Sequence, residues 1–355
     1  MRKLVIDRAA IKNNLTVIKD RAAGAAIYGV VTGDGQGVGA AALAQLLRDE
    51  GIGRFAVSEV SEAEALRQAG FVDEEILMLR ATTDREELER LVDLNVVCTV
   101  SSVDTGMALN ALAGNRSTVA EAHIQVDTGM GFGGFLVSEP EKLLLAYRSM
   151  PNVALSGVYT QLHAARPNDP QAKRQLEQFQ QALDAIHQAG FETGAVHAAG
   201  SFALLHGLAP ELDGVRAGSA ILGRCRRTRD DGLKTVGFGQ APLTEVRWLP
   251  KGHVLGVDRP VTLKKPTRVA VLPVGYQNGF GITRPRETGL LAAIARWRKN
   301  NRRTVRLGSQ RSRVLGGLGA SELILDVTDV KCSVGDLATF EMDPLFARGF
   351  QVEFR

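Results

Sequence analysis

Apolar residues along the first two thirds of the chain alternate between two periods. Short runs rich in Val, Ile, Ala and Phe fall near Ile27–Thr32, Phe55–Val60, Ile76–Arg80, Val97–Ser101, Ala122–Asp127, Leu155–Gln161, Ala195–Ala199 and Gly214–Val215, and read as buried strands. Between them the apolar positions take helical spacing, near Val38–Glu50, Ser61–Gly70, Asp84–Leu94, Val103–Leu112, Glu139–Tyr147, Asp169–Ala189 and Phe202–His206. A first helix over Arg8–Ala23 is predicted from Ile11, Leu15 and Ile18, with Asp7 as its cap and Gly24 as its stop. Eight strands with intervening helices over about 200 residues are the pattern of an α/β fold of the (β/α)8, TIM-type barrel class. A doubly wound open sheet is the rival arrangement.

After residue 232 the pattern changes. Alternating runs at Thr244–Leu249, Arg268–Pro273, Ser312–Leu315, Leu323–Val327 and Leu337–Met342 are separated by Gly, Pro and Asp turns. The expected division is therefore a barrel over 1–232 and a C-terminal β-rich domain over 233–355. Within the second, Thr288–Asn300 reads as a short basic helix that buries Leu290, Leu291, Ile294 and Trp297 on one face.

The 355 residues are 45% hydrophobic, enough for a large core. No run of about 18 apolar residues is present, so no membrane association is expected. The N-terminus reaches Asp7 too early for a signal peptide, which points to a cytoplasmic protein. Cys98, Cys225 and Cys332 lack metal-ligand spacing and read as reduced structural thiols. The formal charge of +4 has a local origin: Arg284–Arg313 holds ten Lys or Arg against Glu287 alone, leaving the rest of the chain at −5. Such a segment, near 284–313, fits a solvated surface or an acidic partner better than nucleic acid, because no nucleic-acid module accompanies it.

The densest chemical signal is Tyr28–Gly39, a strand entering a turn with glycine at 33, 35, 37 and 39 ahead of a helix. Glycines permit positive φ and close approach to a ligand, and a helix start offers free N–H groups. Two readings stay open: a phosphate cradle and a tight strand-to-helix turn. Neither the dinucleotide fingerprint nor the P-loop pattern fits.

After the strand and glycine turn, six blocks in order carry a family resemblance: Asp127-Thr128-Gly129-Met130-Gly131, Ser156–Thr160, His197–Ser201, Val215–Gly218, Val274–Gly279 and Leu325–Asp329. Together they resemble alanine racemase over nearly the whole chain. The resemblance implies a pyridoxal phosphate (PLP) barrel of fold type III with a C-terminal β-domain, and a head-to-tail homodimer. It also implies which residues should hold the cofactor. Ser201, Gly218 and Ser219 match phosphate-binding positions, Arg216 the partner of the pyridine nitrogen, and Tyr276 one of two catalytic bases.

Other positions depart from the family. Thr32 stands where its lysine carries PLP as an imine, and a hydroxyl can neither form that imine nor act as the amine base. No lysine lies between Lys19 and Lys142. Gln36 replaces a phosphate-binding tyrosine, Gln125 a carbamylated lysine, Phe132 an arginine, Gln161 a histidine, and Ala320-Ser321 a Met-Asp pair. Tyr276 is the last tyrosine, so the family's tail tyrosine is also missing.

These departures lead to a racemase-like chain without ordinary racemase activity, a small-molecule-binding or regulatory pseudoenzyme. The alternatives are an amino-acid racemase or other isomerase that holds PLP in another way, and a different reaction on a phosphorylated or carboxylated substrate. A purely structural protein using the dimer and the basic patch is a further class. Bland roles stand beside each site. Arg216 can equally make an ion pair with a carboxylate such as Asp127. Tyr276 reads as a structural hydrogen-bonding residue. His163 and His197, placed at strand ends, read as wall residues. Cys98 reads as core.

Overall fold

The computed structural model describes residues 1–163, 169–208, 212–225, 231–256, 260–282 and 303–355. The basic helix expected at Thr288–Asn300 lies outside these residues. The chain divides into two compact units, Ala10–Thr235 and Met1–Ala9 with Val236–Arg355.

In the first unit, eight parallel strands form a ring among the described residues. Their spatial order is Glu75–Met78, Arg54–Val57, Ala26–Val30, Gly214–Ala217, Ala195–Gly200, Val153–Tyr159, Ala120–Asp127 and Cys98–Val100. A parallel bridge between Leu77 and Val97 closes the circle. This is the TIM-type barrel expected from the alternating periods. Strands buried on both faces cannot alternate apolar with polar residues, which is why each reads as a continuous apolar run. Helices Arg8–Ala22, Ala40–Asp49, Val60–Gln68, Arg85–Asp93, Val103–Asn115, Pro140–Ser149 and Pro170–Gln188 cover it. Their apolar stripes point inward, with Leu43, Leu47, Leu66, Leu91 and Phe179 fully or nearly fully buried. Several starts are capped locally: Asp84 accepts from Glu87 N–H, and Ser102 from Thr105 N–H.

The second unit is β-rich. Among its described residues nine strands form one sheet, in which Lys3–Ile6 sits antiparallel to Phe238–Pro242 and parallel to Gln351–Phe354. Thr244–Leu249, Arg268–Pro273, Ser312–Leu315, Leu323–Val327 and Leu337–Met342, read from sequence, correspond to observed strands within about two residues at each end. Lys3–Ile6, Phe238–Pro242, Thr304–Leu307 and Gln351–Phe354 add to them.

Candidate functional site

A cavity of about 260 Å³ opens where the barrel strands end. Its walls include Gln125, Phe132, Gln161 and Arg216, four of the residues singled out from sequence, together with Arg80 and Asp127. The C-terminal ends of barrel strands are where this architecture assembles ligand sites, because only the loops there vary without disturbing the closed sheet.

Arg216 comes from the last strand, Gly214–Ala217, and is 3% exposed. Its Nη2 donates to the carbonyl of Thr160 at 2.7 Å and to Gln161 Oε1 at 2.9 Å. Its Nη1 donates to His197 Nδ1 at 2.5 Å and to the His197 carbonyl at 3.2 Å. Burial lowers its pKa to about 10, so it stays charged at neutral pH. The ion pair with Asp127 allowed by sequence is not formed. Asp127 Oδ1 accepts instead from the N–H groups of Gly129, Met130 and Gly131, a tight turn satisfied within itself. Arg80, by contrast, is fully paired: Glu87 chelates it at 2.7 and 3.0 Å, and its hydrogen bonds hold the Glu87 carboxyl at a pKa of about 2.

Behind Arg216 lies an aromatic and imidazole cluster. His197 Nε2 is 3.0 Å from His123 Nδ1, and the rings of Tyr28 and Tyr159 stack on His197. His197 is therefore a mid-strand core residue, not a strand-end one, because Ala195–Gly200 runs past it. Burial drives both histidines toward the neutral form, His123 to about 4 and His197 well below the ordinary range, with the Arg216 charge adding to the effect. His163 is bonded through Nδ1 to Gln175 Oε1 and faces Asp169 through Nε2, and it is not among the residues that line the cavity. Cys98 is buried in its strand, which pushes its thiol up to about 12 and leaves it inert.

The glycine turn takes an unusual path. Gly33, Asp34, Gly35 and Gln36 all have left-handed backbone angles, with φ of 67, 52, 63 and 55°. A non-glycine residue costs roughly 1–2 kcal/mol in that conformation, so Asp34 and Gln36 must be held. Glu62 does part of this: its Oε1 accepts from Asp34 N–H, while Oε2 accepts from Ser58 and Glu59 N–H. Asp34 Oδ1 in turn accepts from Ala40 N–H at the start of the following helix. The helix start thus meets a carboxylate from its own turn. Thr32, half-buried, begins this turn and does not line the cavity.

Ser201, Gly218 and Gln36 meet beside the turn. Ser201 Oγ accepts from Gly218 N–H at 2.8 Å and from Ala220 N–H at 3.2 Å, bracketing Ser219. A side chain begun on Gly218 would reach within 2.9 Å of Gln36 Nε2. Tyr276, Ala320 and Ser321 belong to the β-rich unit. There Tyr276 is 49% exposed, its N–H donates to the Gly319 carbonyl, and Gln277 N–H donates to that of Ala320. Phe132 is 80% exposed at the cavity rim.

Sequence reasoning missed Glu62, His123 and Arg80. Glu62 reads as one more acid on a helix, and only its position three residues after Glu59, where a capping box needs it, carried a signal.

Fold and site together define a parallel-barrel protein with a C-terminal β-rich unit and an arginine-lined mouth. The chain matches the alanine racemase N-terminal domain over residues 6–225 and its C-terminal domain over 239–343. It belongs to the alanine racemase family. An alanine racemase from Desulfovibrio desulfuricans is 30% identical over 341 residues, 93% of this chain and 86% of that protein. One from Geobacter sp. strain M21 is 27% identical over 345 residues, covering 94% and 86%. Among solved structures, alanine racemase from D-cycloserine-producing Streptomyces lavendulae has a TM-score of 0.85 at 21% identity, covering 100% of this chain and 97% of that one. The Bartonella henselae enzyme with covalently bound pyridoxal phosphate has a TM-score of 0.83 at 20% identity, covering 100% and 99%. At these identities the two structures speak for the fold alone.

Proposed function

We propose that this chain has left lysine-dependent PLP chemistry and acts as a small-molecule-binding, regulatory member of its family. The observation that carries the reading is Thr32 at the end of the first barrel strand that leads into the glycine turn. An imine needs a primary amine, and among the described residues none that lines the cavity is a lysine.

The residues present do not fit covalently held PLP. Beyond the missing amine, the Gly218 N–H is already spent on Ser201 Oγ, and Gln36 stands against Gly218 where a phosphate would need room. Arg216 is engaged by Gln161 and Thr160. No reaction step is therefore assigned to that cofactor, and Thr32, Ser201, Gly218, Ser219 and Gln36 are read as a self-satisfied turn. Tyr276, Ala320 and Ser321 lose their catalytic partner under this reading. A homodimer, a cytoplasmic location and an acidic partner for the 284–313 segment belong to the same proposal.

The names of the relatives favour a second reading, an amino-acid racemase or other isomerase that holds PLP in another way. The purified chain, incubated with PLP and L-alanine and assayed for D-alanine by chiral chromatography, separates the two. No D-alanine above the enzyme-free control is the expected result; steady PLP-dependent turnover returns the chain to the racemases.

A further inference from the structure

We propose that the exposed face of the hairpin made by Thr304–Leu307 and Gln310–Leu315 docks an extended acidic segment of a partner protein. The inference deepens the acidic-partner part of the preceding reading, on which it rests, and is independent of how PLP is held.

The hairpin divides its side chains between two faces. Val305, Leu307 and Ser312 are buried, and alternation along a strand sends Thr304, Arg306, Arg311 and Arg313 to the opposite face, where they are exposed. The register gathers the arginines: Arg306 stands directly opposite Arg311, and Arg313 opposite Thr304. Like charges directly across a strand pair repel, so the arrangement weakens the hairpin that carries it unless an anion lies over it.

The chain does not supply that anion among its described residues. Asp326, opposite Arg313 on the next strand, accepts instead from the N–H and hydroxyl of Thr328. Lys3, elsewhere in the same sheet, has Glu353 at 2.7 Å, whereas Arg306, Arg311 and Arg313 have no side-chain partner among the described residues.

The spacing favours an extended peptide. Arg311 and Arg313, two residues apart on one strand, are separated by about 6.4–6.8 Å along it. An extended chain repeats its own alternate side chains at that interval, so carboxylates at every second position can meet successive guanidiniums, each accepting two hydrogen bonds. Leu337 is 52% exposed and lies two residues before the Thr339 that pairs with Arg306, which adds an apolar contact beside the arginines. Nucleic acid fits this face less well. The hairpin is flanked in its sheet by Leu323–Asp326 and Leu337–Glu341, so it is not a free ribbon able to enter a major groove. Thr304, Arg306, Arg311 and Arg313 also offer no aromatic ring on which a base can stack.

The test is fluorescence anisotropy on the full chain at low salt. The probes are a labelled ten-residue peptide of alternating Glu and Thr, its counterpart with Gln for Glu, and a short DNA duplex. The acidic peptide should bind at least about tenfold more tightly than the other two, and added salt should weaken it. Arg311→Ser/Arg313→Ser should lower its affinity at least about tenfold. Lys251→Ser/Lys264→Ser removes the same charge from exposed positions elsewhere in the unit and should change the affinity less than about twofold. Equal binding of the two peptides, tighter binding of the duplex, or equal losses in the two double variants overturns the proposal. So does dissociation of a homodimer by Arg311→Ser/Arg313→Ser in sedimentation, because a second copy would then cover the face. An acidic peptide held equally by the wild-type chain and Arg311→Ser/Arg313→Ser overturns this surface alone and leaves the acidic partner to the rest of 284–313. No binding of the acidic peptide removes both.

Discussion

Arg216 donates through Nη1 to His197 Nδ1 at 2.5 Å, and that bond fixes the proton positions of two imidazoles in the barrel interior. A guanidinium cannot accept a hydrogen bond, so Nδ1 of His197 is the acceptor and its proton lies on Nε2. From there it donates to His123 Nδ1 at 3.0 Å, which leaves the His123 proton on its own Nε2. Both rings are neutral, and the stacked phenols of Tyr28 and Tyr159 hold His197 in this orientation.

The neutral pair makes stability depend on pH. His123 titrates near 6.5 when unfolded and near 4 when folded, mainly because burial excludes its charged form. Below 6.5 the unfolded chain binds the extra proton, so the contribution is complete above about pH 6.5 and is lost as pH falls through 4. For His123 alone this is about 3 kcal/mol. Urea unfolding between pH 7.5 and 4 should show that decline, and His123→Gln should flatten it. A profile unchanged by the substitution would contradict the assignment.

Glu62 should prove the anchor of the glycine turn. Its carboxylate collects three backbone N–H groups, from Asp34, Ser58 and Glu59, in a buried position. Glu62→Ala leaves these donors without their partner and should cost about 2–3 kcal/mol. Hydrogen exchange at Asp34 and Ser58 should accelerate with it, whereas a purely surface acid would leave both amides protected.

Gly35 is required for both its backbone and its space. Its φ is +63°, and an added Cβ would stand 2.9 Å from Ala40 N and 3.3 Å from Leu43 Cβ. Gly35→Ala should therefore destabilise the barrel by at least about 1–2 kcal/mol, the cost of the left-handed angle alone. Gly24→Ala, also at positive φ but with nothing within 4 Å, provides the matched control and should cost less. Equal melting temperatures for the two variants would remove the packing argument.

Restoring the amine should not restore racemisation. In Thr32→Lys the new side chain would leave Gln36 against Gly218 and Arg216 bound to Gln161, so the phosphate and ring positions remain taken. Chiral chromatography of L-alanine incubated with this variant and PLP should give no D-alanine above background. Measurable turnover would mean that the threonine alone separates this chain from its catalytic relatives.

The barrel was legible because each strand is buried on both faces and so announces itself as an apolar run, and because positive-φ glycines and helix caps punctuate the segments between. Lys3–Ile6 was not, since it is short and its partners, Phe238–Pro242 and Gln351–Phe354, lie at the other end of the chain. In the site, positions 32, 36, 125, 132 and 161 could be singled out only through the family resemblance, and of these Gln125, Phe132 and Gln161 line the cavity. What the residues did not disclose is pairing. Asp127 and Arg216 looked like partners by charge, yet a three-residue turn satisfies one and neutral groups surround the other. His197 looked like a mouth residue by its place near a strand end, yet its ring is fully buried against His123, Tyr28 and Tyr159. Hydrogen-bond allegiance of this kind depends on which loops close over which strand ends, and sequence spacing does not encode it.

The central claim, that the chain has no lysine-anchored PLP, is tested most directly by borohydride. Purified protein is titrated with PLP, reduced, and measured by intact mass with peptide mapping. The account expects no imine absorbance band and no mass increment on any lysine of the barrel unit. A stoichiometric reduced adduct on one lysine would contradict it and identify the residue that has taken over the anchor.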